Sequence, residues 1–300
     1  MLNVSRLRIL RELHRRKTLA AVAQALSYSS SAVSQQIRQL EKEVGSKLVE
    51  PAGRRLRLTA QGLILVEHTE QILDLLERAE ADVSASLEQP RGLVKVAAFQ
   101  SAALTLVPKM ITDLAARHPL ITVDFRQGEP AETLPALVSA ELDLVIAEAY
   151  PGLPAPSIPG VTMDVLFEDP LWISMSAGMA AGIDTGKEII AQLADAGWAM
   201  EQANTPPRVW VTTECRKAGF EPRVVCTSED LAVQLQFVEA GIAVAVLPGL
   251  ALAGASERIR RFPTRAAMQN RSVLLATRNA ARQGSAVMAV SESLHRIAMQ

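Results

Sequence analysis

The chain reads as a small all-α head, one long helix, and a C-terminal α/β domain built as two lobes. Three observations predict this. Residues 4–44 hold three apolar stripes of helical period, broken by a serine-rich turn at 28–30. Residues 59–87 carry one stripe at threes, fours and sevens without a breaker. From residue 93 onward short apolar runs alternate with helical segments. At 300 residues the chain exceeds what one small core organises.

The elements follow in order. Val4, Leu7, Leu10 and Leu13 stripe a first helix near 4–16. Thr18 caps a second over 18–26, with Leu19, Val22, Ala23 and Leu26 inward. Ser29 or Ser30 caps a third, whose Ala32, Val33, Ile37 and Leu40 face the core and whose end is set by Gly45. Lys47–Val49 and Arg55–Leu58 read as a β-hairpin turning at Pro51-Ala52-Gly53. Thr59 caps the long helix to about Leu87, with Leu65, Ile72, Leu76, Ala79, Val83 and Leu87 on one face, the mark of a helix that packs on a partner helix. Glu88–Gly92 is a hinge around Pro90.

Beyond it, strands at 93–98, 121–126 and 142–147 alternate with helices at 104–117 and 132–140, a βαβαβ pattern that predicts a parallel sheet. Pro151–Gly160, with four prolines and two glycines, is a loop. Residues 161–176 give more strand. A second α/β set has helices at 187–195, 207–218 and 229–240 and strands at 197–201, 222–227 and 242–247. A strand at 272–277 and a helix at 282–298 close the chain.

Charge divides the molecule. Residues 1–62 hold twelve Lys/Arg against four Glu, a net +8, and the remainder is −9. A basic head on an acidic body fits a nucleic-acid module joined to a part that does not bind nucleic acid. No apolar run is long enough to span a bilayer and no secretory signal opens the chain, so a cytoplasmic protein without a membrane partner is expected. Two cysteines, Cys215 and Cys226, are no disulfide framework and read as buried structural residues. The four histidines are scattered and no HExxH, GxSxG, Walker or GxGxxG pattern occurs, so nothing points to an enzyme, a metal or a cofactor.

The strongest pattern is Ser29-x-x-Ala32-Val33-Ser34-x-x-Ile37-x-x-Leu40-Glu41-x-x-x-Gly45-x-x-Leu48, then Gly53-Arg54-Arg55 and Leu58-Thr59-x-x-Gly62. With Leu106-Val107-Pro108, His118-Pro119, Glu141–Leu144, Ala218–Pro222 and Ala240–Pro248 in the same order, the chain resembles the LysR-type transcriptional regulators over its full length. The resemblance implies a winged helix-turn-helix, a dimerising linker helix and a two-lobed effector domain like periplasmic binding proteins. It also implies assembly as a homodimer or dimer of dimers (a homotetramer) and transcription controlled by a small-molecule effector. RNA polymerase is a further candidate partner. On this reading the DNA-binding domain spans 1–58, the linker helix 59–88 and the effector domain 89–300, with lobe I about 92–166 and 269–300 and lobe II about 167–268. The chain departs from the family at Val49 and Pro51, where Phe and Arg are frequent. It departs again at Ser30, often Gln, and at Gln35, often Arg.

The candidate DNA-reading residues are Ser30, Ser31, Ser34 and Gln35 at the start and outer face of the third helix, the part of such helices that meets base edges. Gln35 has the amide to pair with adenine N6 and N7. Arg38, Arg54, Arg55 and Arg57 are the candidate phosphate contacts, with Arg54 or Arg55 entering the minor groove. A dimer built on the linker helix predicts double-stranded DNA with a two-fold symmetric site.

Ligands of α/β lobes sit beyond the carboxyl ends of strands, beside helix N-termini. Here those places hold Gln100, Ser101, Ala102, Glu129, Glu148, Glu201, Gln202, Asn204, Thr205 and Ser228, several of which would serve equally as plain helix caps. Glu129, Glu148 and Glu201 share the predicted rim. Carboxylates brought together out of water want a cation. That cation is an effector carrying an amine or guanidinium group, unless Arg126 serves as an internal partner or the acids point to solvent. The alternatives to an effector-controlled regulator are a redox sensor of the same architecture, using Cys215 or Cys226, and, on weaker grounds, a solute-binding protein or an enzyme.

Overall fold

The computed structural model describes residues 2–26, 28–52, 55–86, 89–264 and 269–299, with the side chain of Arg55 outside that description. The chain forms two compact units, Met1–Ser86 and Leu87–Gln300.

In the first unit, α1 (Val4–Arg16), α2 (Leu19–Ala25) and α3 (Ser30–Val44) are capped, the last two as the sequence predicts and α1 by Asn3, which was not foreseen. Asn3, Thr18 and Ser29 accept the backbone N–H groups of Arg6, Ala21 and Ala32, which the first turn of a helix leaves unpaired. Gly45 ends α3 at φ 74°, in the left-handed region where glycine avoids the Cβ clash. The apolar stripes meet in one core of Leu7, Leu10, Leu13, Val22, Val33, Ile37, Leu40, Leu48 and Val66. Removing a fully buried leucine such as Leu10 from a core of this kind costs about 2–5 kcal/mol.

The hairpin pairs β1 (Val49–Ala52) with β2 (Arg55–Leu58). Pro51 and Ala52 therefore lie in a strand, not in the expected turn; Gly53 and Arg54, between the strands, are outside the described residues. The register explains the tolerance. Pro51 faces Leu56, and the Leu56 N–H points away, donating to the Lys17 carbonyl at 3.2 Å. At such a non-hydrogen-bonded pair a residue without an N–H costs nothing.

The long helix α4 (Ala60–Ala85) is capped by Thr59, whose hydroxyl accepts from Gly62 N at 3.1 Å. Its predicted end at Leu87 falls outside the described residues, as does Glu88 of the predicted hinge. Val66, Thr69 and Leu73 are buried, and α4 packs on α1. The predicted stripe lies elsewhere: Ile72, Leu76 and Val83 are exposed, with Leu63, Ile64 and Leu75 beside them.

The second unit is α/β. Strands β3 (Gly92–Ala98), β4 (Ile121–Gln127) and β5 (Leu144–Ala149) are mutually parallel around β3, as the βαβαβ pattern requires. The sheet as a whole is mixed. Strand β11 (Asn270–Arg278) runs antiparallel to β5 and to β6 (Val161–Ser176), so the wholly parallel expectation is corrected. A strand returning from the far end of the chain obeys no crossover rule, and nothing local marks its direction. The sixteen residues of β6 serve both lobes. Val161–Pro170 pair with β11, and Leu171–Ser176 pair with β9 (Ala245–Pro248) and β10 (Ile259–Pro263). The second lobe adds the parallel pair β7 (Gly197–Met200) and β8 (Arg223–Thr227).

Helices fill the remaining layers. The predicted helix 104–117 is two, α5 (Gln100–Thr105) and α6 (Val107–Arg117), because Pro108 cannot continue the ladder across Leu106. Helix α7 (Pro130–Val138) follows β4, and the short α8 (Ala177–Ala180) follows β6. The predicted helix at 187–195 is one 3₁₀ turn, Ile190–Leu193, where Ile190 and Leu193 are buried at the three-residue spacing that such a turn eclipses. Helices α9 (Pro206–Lys217), α10 (Leu231–Glu239) and α11 (Ser285–Ala298) complete the unit. Strand β10 and α8 had no sequence prediction. Among the described residues no helix is long and apolar enough to cross a membrane.

Candidate functional site: a ligand cleft and a nucleic-acid interface

The cleft lies where β3, β5 and β7 end and β11, α9 and α10 begin. Its lining includes Phe99, Gln100, Ser101, Glu129, Glu148, Tyr150, Glu201, Arg208, Glu229, Gln234 and Arg271. Period-2 alternation along β5 and into its end turns Glu148 and Tyr150 to the same side. The centre is Arg271, the second residue of β11, whose side chain is 3% exposed. Its Nε and Nη2 donate to Asp169 Oδ2 at 2.9 and 2.7 Å, Nη2 also donates to Ser101 Oγ at 2.6 Å, and Nη1 donates to Glu148. The guanidinium sits 4.8 Å from the centre of the Phe99 ring. Asp169 also accepts the backbone N–H of Leu250 at 3.1 Å. Four bonds to three side chains hold this buried cation, as burial of a charge demands.

Arg271 is the internal cation, and Arg126, on the exposed side of β4, is not. Arg271 forms no ion pair with the other acids, though its charge lowers the Glu129 pKa against the stronger effects of burial and Glu148. Glu129, Glu201 and Glu229 have no cationic partner among the described residues. The Glu201 carboxyl is pushed up to about 8, first by loss of water and then by the charges of Glu148 and Glu129. Glu129 is pushed up to about 7, again by desolvation first and Glu148 second. Glu129 is exposed overall, so solvent screens it more than Glu201. At Glu148 and Asp169 burial raises the carboxyls and Arg271 offsets only part of it.

Five predicted residues meet here: Gln100, Ser101, Glu129, Glu148 and Glu201. Five do not line the cleft, each for a local reason. Ala102 is buried in α5. Gln202, Asn204 and Thr205 build the turn into α9: the Thr205 hydroxyl donates to the Gln202 carbonyl at 3.0 Å, and Asn204 takes φ 76°. Asparagine is there for a left-handed backbone. Ser228 accepts Asp230 N at 3.1 Å, shaping the entry to α10. Sequence reasoning missed Tyr150, Arg208, Glu229, Gln234 and Arg271. Tyr150 had a signal, its period-2 partnership with Glu148. Arg271 had none, since the strand was expected to start one residue later.

Gln100 does more than line the cleft. Its Oε1 accepts Leu231 N at 2.8 Å and its Nε2 donates to Asp230 Oδ1 at 2.9 Å. One amide thus joins α5 of the first lobe to the start of α10 in the second. The enclosed space is about 30 Å³, room for roughly one water, whereas ligand cavities reach about 300–1,000 Å³. The lobes are latched.

The thiols do not form a reactive pair. Cys215 and Cys226 belong to different apolar clusters. Burial pushes the Cys215 thiol up to about 12 and raises Cys226 as well, away from the thiolate that redox chemistry needs. Among the described residues no group of three or more His, Cys, Asp or Glu is placed to hold a metal.

In the head, Ser30, Ser31 and Gln35 are exposed at the start of α3, and Ser34 is half-buried. Ser31 Oγ lies 2.9 Å from Ser29 Oγ, so the cap residue orients it. Arg38 is exposed with its Nε over the Ser34 carbonyl. Arg57 is ion-paired with Glu50 across the hairpin at 2.6 Å. The predicted contact Arg54, and the Arg55 side chain, lie outside the described residues. Glu41, buried near the end of α3, was not foreseen as part of this site. It accepts Leu48 N at 3.0 Å and Val49 N at 3.4 Å, and it pairs with Lys47 Nζ at 2.9 Å. These bonds lower its pKa against the opposing pull of burial, which is the largest single influence. They fasten the hairpin to the reading helix.

Comparison with known proteins agrees with both halves. Residues 4–63 match the family model of the bacterial regulatory helix-turn-helix protein, lysR family, and residues 87–298 match that of the LysR substrate binding domain. The transcriptional dual regulator GltC of Bacillus subtilis is 26% identical over 218 residues, covering 73% of this chain and 71% of that protein. A probable hydrogen peroxide-inducible genes activator of Mycobacterium avium is 25% identical, covering 82% and 77%. Among solved structures, a cysteine variant of full-length OxyR from Pseudomonas aeruginosa superposes with TM-score 0.69 at 21% identity, covering 98% of this chain and 95% of that one. With a helix-turn-helix and hairpin at one end, an effector cleft at the other, and both family models matched, the chain belongs to the LysR family of transcriptional regulators.

Proposed function

We propose that this regulator responds to a small cationic effector, carrying an amine or guanidinium group, held in the cleft of its effector domain. One observation carries the reading. Glu129, Glu201 and Glu229 line the cleft without an ion pair among the described residues, Arg271 is already committed to Glu148 and Asp169, and the other arginine of the lining, Arg208, bonds a main-chain carbonyl. A cation entering there restores to Glu201 the stabilisation that burial removed, and finds Glu129 and Glu229 at the same opening.

At the other end, Ser30, Ser31, Ser34 and Gln35 read base edges, and Arg38, Arg54, Arg55 and Arg57 hold phosphates. The exposed apolar face of α4 pairs two chains, which then assemble as a dimer of dimers on a two-fold symmetric site in the cytoplasm. Functional divisions at 1–58, 59–88 and 89–300 follow. A thermal-shift panel of the full chain tests the effector. Amines and guanidines should raise the melting temperature and aromatic or dicarboxylic acids should not; stabilisation by acids alone overturns the reading.

A further inference from the structure

We propose that Arg208 is a specificity residue of this cleft. It binds the carboxylate of the effector, so that the ligand is a basic amino acid and not a simple amine. This rests on the cationic reading above and narrows it.

The cleft contains two arginines with different occupations. Arg271 is buried and fully engaged with two carboxylates and a hydroxyl. Arg208 lines the same cleft, half-buried, from the first turn of α9. Its Nη1 donates to the Glu201 carbonyl at 3.0 Å, and no carboxylate among the described residues lies within ion-pair distance of it. That bond tethers the guanidinium beside Glu201 and leaves its other donors unclaimed. A guanidinium presents five donors in a planar fork that matches a carboxylate.

The backbone of α9 sharpens the point. Helix N-termini commonly hold anionic groups through free main-chain N–H groups. Here the first two helical residues are Pro206 and Pro207, which have no N–H to offer. What this end still offers an anion is the Arg208 N–H and, with more reach, the Arg208 side chain. The uncompensated charges of the cleft are therefore of both signs. Arg208 is tethered to the main-chain carbonyl of Glu201, and the Glu129, Glu201 and Glu229 carboxyls line the same cleft. One available guanidinium among several acids matches the carboxylate and α-ammonium of an amino acid, and the remaining acids match a second, side-chain cation. A simple diamine would satisfy the acids and leave Arg208 facing a like charge.

Matched pairs that differ by one carboxylate test this in the full chain: arginine against agmatine, and lysine against cadaverine, by isothermal titration. Each amino acid should bind at least tenfold more tightly than its decarboxylated partner, and in Arg208→Gln the members of each pair should converge. Arg208→Lys, which keeps the charge but loses the fork, should retain part of the preference. Equal affinity within both pairs, or a preference that survives Arg208→Gln, overturns the assignment of Arg208 and leaves the cationic effector standing. Failure of all four compounds to bind overturns both.

Discussion

On the proposed reading, Glu201 serves the effector and Gln35 the DNA. Glu201 holds a proton in the folded state at a pH where the unfolded chain has lost it, since its pKa rises from 4.5 to about 8. The folded domain therefore binds more protons than the unfolded chain between those values, and its stability falls as pH rises through that window. Glu201→Gln should flatten this decline in a melting series from pH 5 to pH 8. A decline of the same size in the variant would place its cause elsewhere. A cationic ligand has the opposite preference, because it needs the carboxylates ionised, and so should bind more tightly at pH 8 than at pH 6. Gln35→Ala should cost about 1–3 kcal/mol at one base position, whereas Arg38→Ala should weaken all sequences alike and reduce the salt dependence. A panel of operator variants measured by anisotropy separates the two patterns.

At the scale of elements, helices with both a stripe and a cap were legible from the residues. Thr18, Ser29, Thr59 and Gly45 each stand where the sequence places them, because capping is a local act of one side chain on the next turn. The acids of the cleft were legible too, as residues just past strand ends. What was not legible depends on distant pairing. Arg271 meets Glu148 and Asp169 only because β11 lies between β5 and β6, a register that no local pattern encodes. Asn204 and Ser228 misled for the reverse reason: small polar residues beside helix starts bond their own backbone as readily as a ligand.

The attachment of the hairpin to α3 is another long-range feature. Glu41→Ala should remove three bonds, loosen the hairpin and lower DNA affinity. Glu41→Gln, which retains one acceptor, should do so less. Gly62 marks the same junction, since a Cβ there would meet the Leu48 carbonyl oxygen at 2.2 Å. Gly62→Ala should destabilise the head by about 1–3 kcal/mol in denaturant unfolding, through overpacking.

For the whole molecule, coupling requires that ligand and DNA each favour one arrangement of the chain. The Gln100 amide is a discrete contact between the lobes beside a narrow cleft, and we propose that ligand entry breaks it. Leu75 and Val83 are exposed on α4, on the face we propose pairs two chains. Val83→Glu should shift the protein towards monomer in analytical ultracentrifugation and weaken binding to a two-fold symmetric site. The central claim is that the acidic cleft binds a cation through its carboxylates. Calorimetric titration of the full chain with agmatine at pH 7.5, in two buffers of different ionisation enthalpy, tests it most directly. A saturable heat that differs between the buffers by proton release, and that is lost in the Glu129→Gln/Glu201→Gln double variant, is the result expected. Absence of a saturable heat, or binding that the double variant leaves intact, would contradict it.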